Sequence, residues 1–204
     1  MIFLSGKNIS ITDLQPLFDG PTKIKVSREV KASIVTSRKI LEKRIDSGQT
    51  IYGVNTGFGA LSQHKIDDKD LELLQLNLVR SHSSGVGRKF DEGITRSILF
   101  LKILNFSLGY SGVRWEVASL IRECLNYDIL PVIPSQGSVG ASGDLAPLAH
   151  LAHSPIGEGL VTFRGLECEA SKALQTLGLK PLIIQANDDI ALLNGTQVTT
   201  ALAT

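Results

Sequence analysis

Sulfur, aromatic rings and net charge are all scarce in this sequence. Its 204 residues include two cysteines, one methionine and one tryptophan, aromatic side chains make up 5% of the chain, and the formal net charge is +1. Cys124 and Cys168 are lone and far apart, which argues against a disulfide framework or a zinc site. A nearly neutral chain is not an expected partner of nucleic acid or of an anionic membrane surface.

Long apolar runs are missing as well. No stretch approaches the ~20 consecutive apolar residues that a membrane helix needs. The first seven residues lack the basic segment and the long apolar segment of a secretory signal. With 43% hydrophobic residues, the chain is expected to build a buried core. Its lone cysteines and the missing secretory signal make the reducing cytoplasm the expected compartment, and no membrane partner is expected.

Apolar residues recur at the 3.6-residue spacing of helices through most of the chain. Ser27 is a candidate N-cap for a first long helix, and Gly48 is placed to end it. Residues 68–84, 91–109 and 111–127 carry three further helical patterns. In the second of these, the face predicted to be buried is formed by Ile94, Ile98, Leu101, Leu104 and Leu108.

Strand signals are short. Residues 2–12 alternate loosely around a glycine and residues 160–163 form an apolar run between glycines, so both are predicted to form hairpins. A short helix is predicted to follow at 169–177, and another after Asn187-Asp188-Asp189, whose side chains suit a helix start. The expected fold class is mainly α, with short β-hairpins and a glycine-rich loop.

The most unusual stretch is Gly-Ser-Val-Gly-Ala-Ser-Gly-Asp-Leu-Ala-Pro-Leu at residues 137–148. Its four small residues from Gly140 to Gly143 have almost no side-chain surface to bury, so their use must lie in the backbone. Asp144 follows at the predicted start of a helix, where the helix dipole favours an acid.

Two chemistries need a bare backbone before a helix. The first is anion binding, but the stretch has neither the Lys-Ser/Thr of a phosphate-binding loop nor the spacing of a dinucleotide-binding loop. The second is cyclisation, in which the Gly143 nitrogen attacks the Ala141 carbonyl carbon and closes a five-membered ring. Loss of one water from the ring and of another from the Ser142 side chain leaves an electrophilic methylidene-imidazolone. Gly143 leaves its nitrogen uncrowded, Ala141 is small, and Ser142 carries a hydroxyl that can leave.

Residues 140–148 resemble the signature of the aromatic amino-acid ammonia-lyases and aminomutases, in which Ala-Ser-Gly forms this electrophile without an external cofactor. Three other segments are similar to motifs of that family and stand in the family's order. Residues 52–59 resemble its tyrosine loop, residues 74–87 its substrate-selecting segment, and residues 194–197 its asparagine motif. Four separated matches argue against coincidence.

The resemblance implies roles for three side chains outside the glycine-rich loop. Tyr52 would be the base that removes the β-proton of the substrate, whereas a tyrosine in a glycine-rich turn is more often a packed aromatic. Asn194 would hold the cyclised loop or the substrate carboxylate, whereas a bare Asn-Gly is a turn. His82 would bind the substrate ring, whereas a lone histidine on an apolar helix face is more often a satisfied core residue.

The residues around His82 bear on the substrate. Leu-Val-Arg-Ser-His at 78–82, followed by Gly-Val-Gly at 85–87, is similar to the histidine-specific members of the family. The resemblance therefore implies elimination of ammonia from L-histidine to give urocanate, and a phenylalanine- or tyrosine-acting lyase or aminomutase is the alternative. His150 and His153 stand three residues apart on a predicted helix, but no third ligand follows at a suitable spacing, so no metal is expected.

The last pattern, at residues 195–204, has the features of a helix just begun. Residues 1–204 are therefore expected to form the N-terminal, active-site-loop region of a larger helical lyase whose C-terminal helical part is absent from this sequence. By resemblance, the working enzyme is a homotetramer whose sites draw on several subunits. A non-catalytic fragment or assembly partner is the alternative from another class.

Overall fold

A computed structural model describes the backbone of residues 1–6, 8–56 and 68–204, and the side chains of the same residues except 68–71. Most of the elements in these ranges are helices. Helices α1 to α9 span Gln15–Asp19, Arg28–Asp46, Asp68–His82, Glu92–Ser107, Trp115–Asn126, Leu145–His153, Ala170–Thr176, Asp188–Leu193 and Gln197–Ala203.

The strands in the described ranges are short. Strands β1 to β7 span Ile2–Leu4, Ile24–Val26, Val86–Lys89, Leu130–Pro131, Pro134–Gln136, Leu160–Phe163 and Leu166–Glu169. The mainly α fold class expected from the sequence is confirmed. Among the described helices, none combines the length and the apolarity needed to cross a membrane.

Helix α2 begins and ends where the sequence predicts. Ser27 Oγ accepts a hydrogen bond from Val30 N–H at 3.2 Å, which satisfies one of the free donors of the first turn. Gly48 follows the last turn with a φ of +78°, a conformation that favours glycine. The buried side chains of α2 are Val30 and Ile34, so this helix packs on the body through a narrow stripe.

Helix α4 is the centre of the core. It packs against α1, α2, α5 and α9, and it is therefore buried around most of its circumference. Its fully buried apolar side chains include Ile98, Leu99, Phe100 and Phe106.

The buried face predicted for this helix is partly wrong. Ile98 is buried as expected, but Ile94, Leu101 and Leu104 are only half-buried and Leu108 is 58% exposed. Because α4 packs against four other helices, it has no single polar side. The spacing of its apolar residues therefore does not predict which of them are buried.

One predicted hairpin is confirmed and the other is wrong. Strand β6 pairs antiparallel with β7, and β4 extends this sheet on the other side of β6. Strand β1 instead pairs in parallel with β2, with Ile2 opposite Ile24. Ile2, Leu4 and Ile24 are all buried, so the distant pairing covers apolar side chains that a local hairpin would expose. Lys7, in the predicted turn, lies outside the described residues.

Helix α6 connects the core to the glycine-rich loop. It packs against α3, α8 and α9, and it starts directly after the glycine-rich loop. The fold therefore brings the residues around 144 next to those of 188–199, although about fifty residues separate them in the chain.

Leu99→Ala is expected to lower the free energy of unfolding by about 2–5 kcal/mol, because it leaves a cavity in the centre of the core. Leu108→Ala, the same change at an exposed position just after α4, is expected to alter it by less than about 0.5 kcal/mol. Urea unfolding followed by circular dichroism measures both values. Equal losses would contradict the burial assigned to α4.

Candidate active site

The glycine-rich loop of residues 137–144 bends sharply before α6. Gly140 and Gly143 have φ values of +67° and +91°, in the left-handed region that favours glycine. Ser138 Oγ accepts a hydrogen bond from Gly140 N–H at 3.2 Å and donates one to Asp144 Oδ1 at 2.8 Å. Ala141 and Ser142 are exposed at the tip of the loop, so they are presented outward rather than packed into the core.

Gly143 packs against the backbone of the asparagine motif. A Cβ atom at this position would lie 2.8 Å from Gly195 O and 3.5 Å from Asn194 Oδ1. Contact and backbone conformation both exclude a side chain here. The residue predicted to supply the ring nitrogen thus lies directly against the predicted asparagine.

Asp144 occupies the N-cap position of α6, as expected, but its carboxylate does not cap that helix. The side chain is fully buried and accepts hydrogen bonds from Thr199 N–H at 2.8 Å and Thr199 Oγ1 at 2.7 Å, besides the one from Ser138. The Asp144 N–H donates to Gly195 O at 2.8 Å. Asp144 therefore joins the glycine-rich loop to the start of α9.

Lys102 supports the same segment from the core side, and the helix pattern gave it no role. Its fully buried Nζ donates to Ala191 O at 3.1 Å and to Asn194 O at 3.0 Å. Burial lowers the pKa of Lys102 to about 7, and the charge of Asp144 opposes this shift. The signal that could have found it is a lysine inside the apolar run 98–104, because a lysine buried all round must have polar partners.

A cavity of about 340 Å³ opens beside the tip of the loop. One part of its wall is apolar and comes from Leu78, Leu145, Ile190 and Leu193. The polar part comes from Tyr52, His82, Ser142, Asp189 and Asn194. Four predicted site residues from four separate segments therefore meet around one cavity: Tyr52, His82, Ser142 and Asn194. The other two, Ala141 and Gly143, flank Ser142 in the chain.

The turn that carries Tyr52 is fixed by its own side chains. Asn55 Oδ1 accepts a hydrogen bond from Ile51 N–H at 2.8 Å, and Asn55 Nδ2 donates to Gln49 O at 2.9 Å. Thr56 Oγ1 accepts one from Gly53 N–H at 3.1 Å. Asn55 and Thr56, which the sequence left without a role, thus shape the turn that carries Tyr52 to the cavity. The rest of the predicted tyrosine loop, residues 57–59, lies outside the described residues.

His82 lies at the end of α3 with one ring nitrogen already engaged. Its Nδ1 is 2.8 Å from Leu78 O. Because a carbonyl oxygen can only accept, Nδ1 carries the hydrogen, and in the neutral ring Nε2 is then an acceptor. The His82 ring therefore contributes a hydrogen-bond acceptor to a cavity that it also lines.

The two histidines of α6, His150 and His153, form hydrogen bonds with a backbone N–H and a hydroxyl group. His150 Nε2 accepts a hydrogen bond from Gly85 N–H at 3.1 Å, and His153 Nε2 lies 2.8 Å from Ser83 Oγ. Both rings thus hold the segment that follows α3. Over the ranges that the structure describes, no group of three metal-ligating side chains is present.

Asp189 is a cavity residue that the sequence pattern indicated only as part of a helix start. Helix α8 does begin at Asp188, and the Asp188 carboxylate accepts a hydrogen bond from Arg114 Nε at 2.8 Å. Asp189 instead lines the cavity and is 1% exposed. Burial, and to a lesser degree the charge of Asp188, raise the pKa of Asp189 to about 7.

Comparison with known proteins places the chain in a family. The family model described as aromatic amino acid lyase matches residues 9–204. A histidine ammonia-lyase of Shouchella clausii is 43% identical over 202 residues, which is 99% of this chain and 40% of that protein. The chain thus spans about 40% of the length of the curated relatives it matches.

Solved structures agree with the sequence comparison. A histidine ammonia-lyase from Trypanosoma cruzi is 36% identical with a TM-score of 0.89, covering 98% of this chain and 39% of that one. A phenylalanine aminomutase from Pantoea agglomerans is 30% identical with a TM-score of 0.92, covering 98% of this chain and 38% of that one. The chain belongs to the aromatic amino acid lyase family.

Proposed function

We propose that this chain carries the electrophile-forming part of a histidine ammonia-lyase, which eliminates ammonia from L-histidine to give urocanate. The observation that carries the proposal is the cavity in which Ser142 meets Tyr52, His82 and Asn194. Relatives named histidine ammonia-lyase at 43% and 44% identity support the choice of substrate.

The loop fits the formation of a methylidene-imidazolone from Ala141, Ser142 and Gly143. Ring closure joins the Gly143 nitrogen to the Ala141 carbonyl carbon and releases one water, and the Ser142 hydroxyl leaves as the second. The site at Gly143 has no room for a Cβ atom, and Ser142 lies at the exposed tip beside the cavity. The hydrogen bond from Asp144 N–H to Gly195 O holds the end of the loop, so the loop is already bent before any reaction.

Tyr52 is proposed as the base that removes the β-proton of the substrate. The side chains of Asn55 and Thr56 stabilise its turn by hydrogen bonds, and this turn positions Tyr52 at the cavity. The ring, once formed, supplies an electrophilic carbon that captures the substrate amine and makes it a better leaving group. No external cofactor and no metal are needed for these steps.

His82 and Asn194 are proposed to bind the substrate. With Nδ1–H donated to Leu78 O, His82 Nε2 accepts a hydrogen bond from an imidazole N–H. Asn194 lies next to Gly143 and lines the same cavity, so its amide suits either the substrate carboxylate or the ring. The four apolar side chains of the cavity surround the body of the bound amino acid.

The whole enzyme is proposed to be a homotetramer of the cytoplasm, with this chain as the active-site-loop region of a longer protein. A phenylalanine- or tyrosine-acting enzyme stays the alternative, because aminomutase structures are 30–35% identical to this chain. Comparing product absorbance from the three amino acids separates these activities. No turnover by this chain, with turnover by a C-terminally extended version, would assign it the role of an incomplete fragment.

The intact mass of the purified chain is expected to lie two water molecules below the value calculated from its sequence. Gly143→Ala should restore the full mass, because the added Cβ meets Gly195 O at 2.8 Å. Gly140→Ala is the matched control in the same loop. Its φ of +67° strains an alanine as the φ of Gly143 does, but a Cβ there meets nothing within 4 Å, so this variant should keep the ring. A full mass for the unmodified chain would mean that these residues alone do not close the ring.

His82→Leu, in the enzyme that carries its C-terminal part, is expected to lower kcat/KM for L-histidine about 10- to 100-fold. The change leaves an N–H of the bound ring without its acceptor in the cavity, a loss of about 1–3 kcal/mol. Ring formation, followed by intact mass, should be unchanged. If turnover and ring formation fall together, His82 has a structural role.

Lys102→Met is expected to lower the free energy of unfolding by about 1–3 kcal/mol, because two buried carbonyl oxygens lose their donor. Slower ring formation should accompany the loss, since Asn194 and Gly195 are no longer held against Gly143. Lys102→Arg keeps the charge and the donors and should recover part of the rate. A time course of intact mass measures ring formation, and equal rates in all three proteins would contradict this role.

A further inference from the structure

The Asp189 carboxyl is a buried acidic group that the described part of the chain does not neutralise. Its side chain is 1% exposed, and Oδ2 has no hydrogen-bond partner among the described residues. The neighbouring Asp188 has Arg114 as an ionic partner. Burial of a carboxylate with one unpartnered oxygen costs stability. Backbone N–H groups of Ile190 and Asp189 offset only part of this cost, so burial raises the pKa of Asp189.

The position of Asp189 relates it to the substrate. It stands in the first turn of α8, whereas Asn194 directly follows the last turn. Five residues of helix separate the two by about 7.5 Å along the axis. Asn194 is the end that contacts Gly143, so Asp189 lines the cavity at the end away from the reactive loop. An amino acid whose amino group lies at Ser142, as the proposed function requires, can place its side chain toward that end.

Two polar groups of the cavity can accept a hydrogen bond from a ligand ring. The Asp189 carboxylate accepts, and so does His82 Nε2 when Nδ1–H is given to Leu78 O. Among the described residues that line the cavity, none is a lysine or an arginine. A ligand that brings an N–H donor can therefore pair with Asp189 Oδ2, whereas a phenyl ring would leave this oxygen without a partner.

We propose that Asp189 is a specificity-determining residue, whose carboxylate accepts a hydrogen bond from a ring N–H of the bound amino acid. It selects a nitrogen heterocycle such as imidazole over a carbocyclic aromatic ring. The inference rests on the proposed ammonia-lyase function, because it takes the Ser142 end of the cavity as the reactive end. It adds a second contact to the ring, on the α8 side of the cavity.

The test uses the enzyme with its C-terminal part, and the variants Asp189→Ala and Asp189→Asn. Turnover of L-histidine and L-phenylalanine gives the ratio of the two kcat/KM values. Calorimetric titration with L-histidinol and L-phenylalaninol measures ring preference without any reaction. Asp128→Asn is the matched control, because Asp128 pairs with Arg96 away from the cavity and its φ of +56° suits asparagine.

Asp189→Ala is expected to lower both the turnover ratio and the binding ratio about 10- to 100-fold, the loss of one charge-assisted hydrogen bond. Asp189→Asn keeps a neutral acceptor and should give a smaller loss, and Asp128→Asn should give none. The melting temperature should stay equal or rise in both Asp189 variants, because a buried acid with an unpartnered oxygen is removed. Intact mass confirms that the ring still forms.

Unchanged ratios in both Asp189 variants would overturn the inference while leaving the proposed function in place. An unmodified enzyme that binds L-histidinol no better than L-phenylalaninol would overturn it too. If L-histidine is not turned over, but the binding preference exists and depends on Asp189, the proposed function fails and the inference stands. A fall in melting temperature with equal losses for both ligands would make Asp189 a structural residue and would also overturn the inference.

Discussion

The hydrogen bond from Asp144 N–H to Gly195 O holds together two loops that are far apart in the chain, and the site depends on it. It places Gly143 against Asn194 and fixes the start of α6 relative to the end of α8. Lys102 reinforces the contact from the core by donating to Asn194 O. Without this junction the helices could still bury their apolar faces, but Ser142 and Asn194 would have no reason to meet.

The junction puts polar and charged groups where a helical protein would ordinarily place apolar ones. Lys102, Asp144 and Asp188 are all fully buried, and each has hydrogen bonds that offset the loss of water. Lys102 and Asp144 also attract one another, which favours the charged state of the lysine against its burial. The apolar core around α4 supplies the stability that lets such an arrangement persist, because it buries side chains from most elements of the fold, including Leu192, Leu193 and Val198 beside the junction. Asp189 differs from Asp144 and Asp188 in that no lysine or arginine among the described residues pairs with it.

Local signals in the sequence predicted much of the fold and part of the site. Ser27 and Gly48 mark the ends of α2, and the apolar run at 160–163 forms a hairpin strand, because caps and turns are decided by a few neighbouring residues. The row of small residues at 140–143 indicated a backbone function by its lack of side chains alone. The parallel pairing of β1 with β2 could not be predicted, since it is decided by burial against distant helices. Lys102 and Asp189 escaped for the same reason: a charged residue in a helix pattern does not reveal whether it faces solvent, a carbonyl or a cavity.

The contacts of Asp144 also set an order of events during synthesis. Its carboxylate is held by Thr199, which is 55 residues further along the chain, and its N–H by Gly195. A ribosome finishes the glycine-rich loop well before it makes either partner. Until those later residues have emerged and packed, the loop has only its own hydrogen bonds through Ser138 and lacks those from Thr199 and Gly195. For the proposed ring closure at Ser142, this order would place the reaction after folding, and a reactive group would not arise on an incomplete chain.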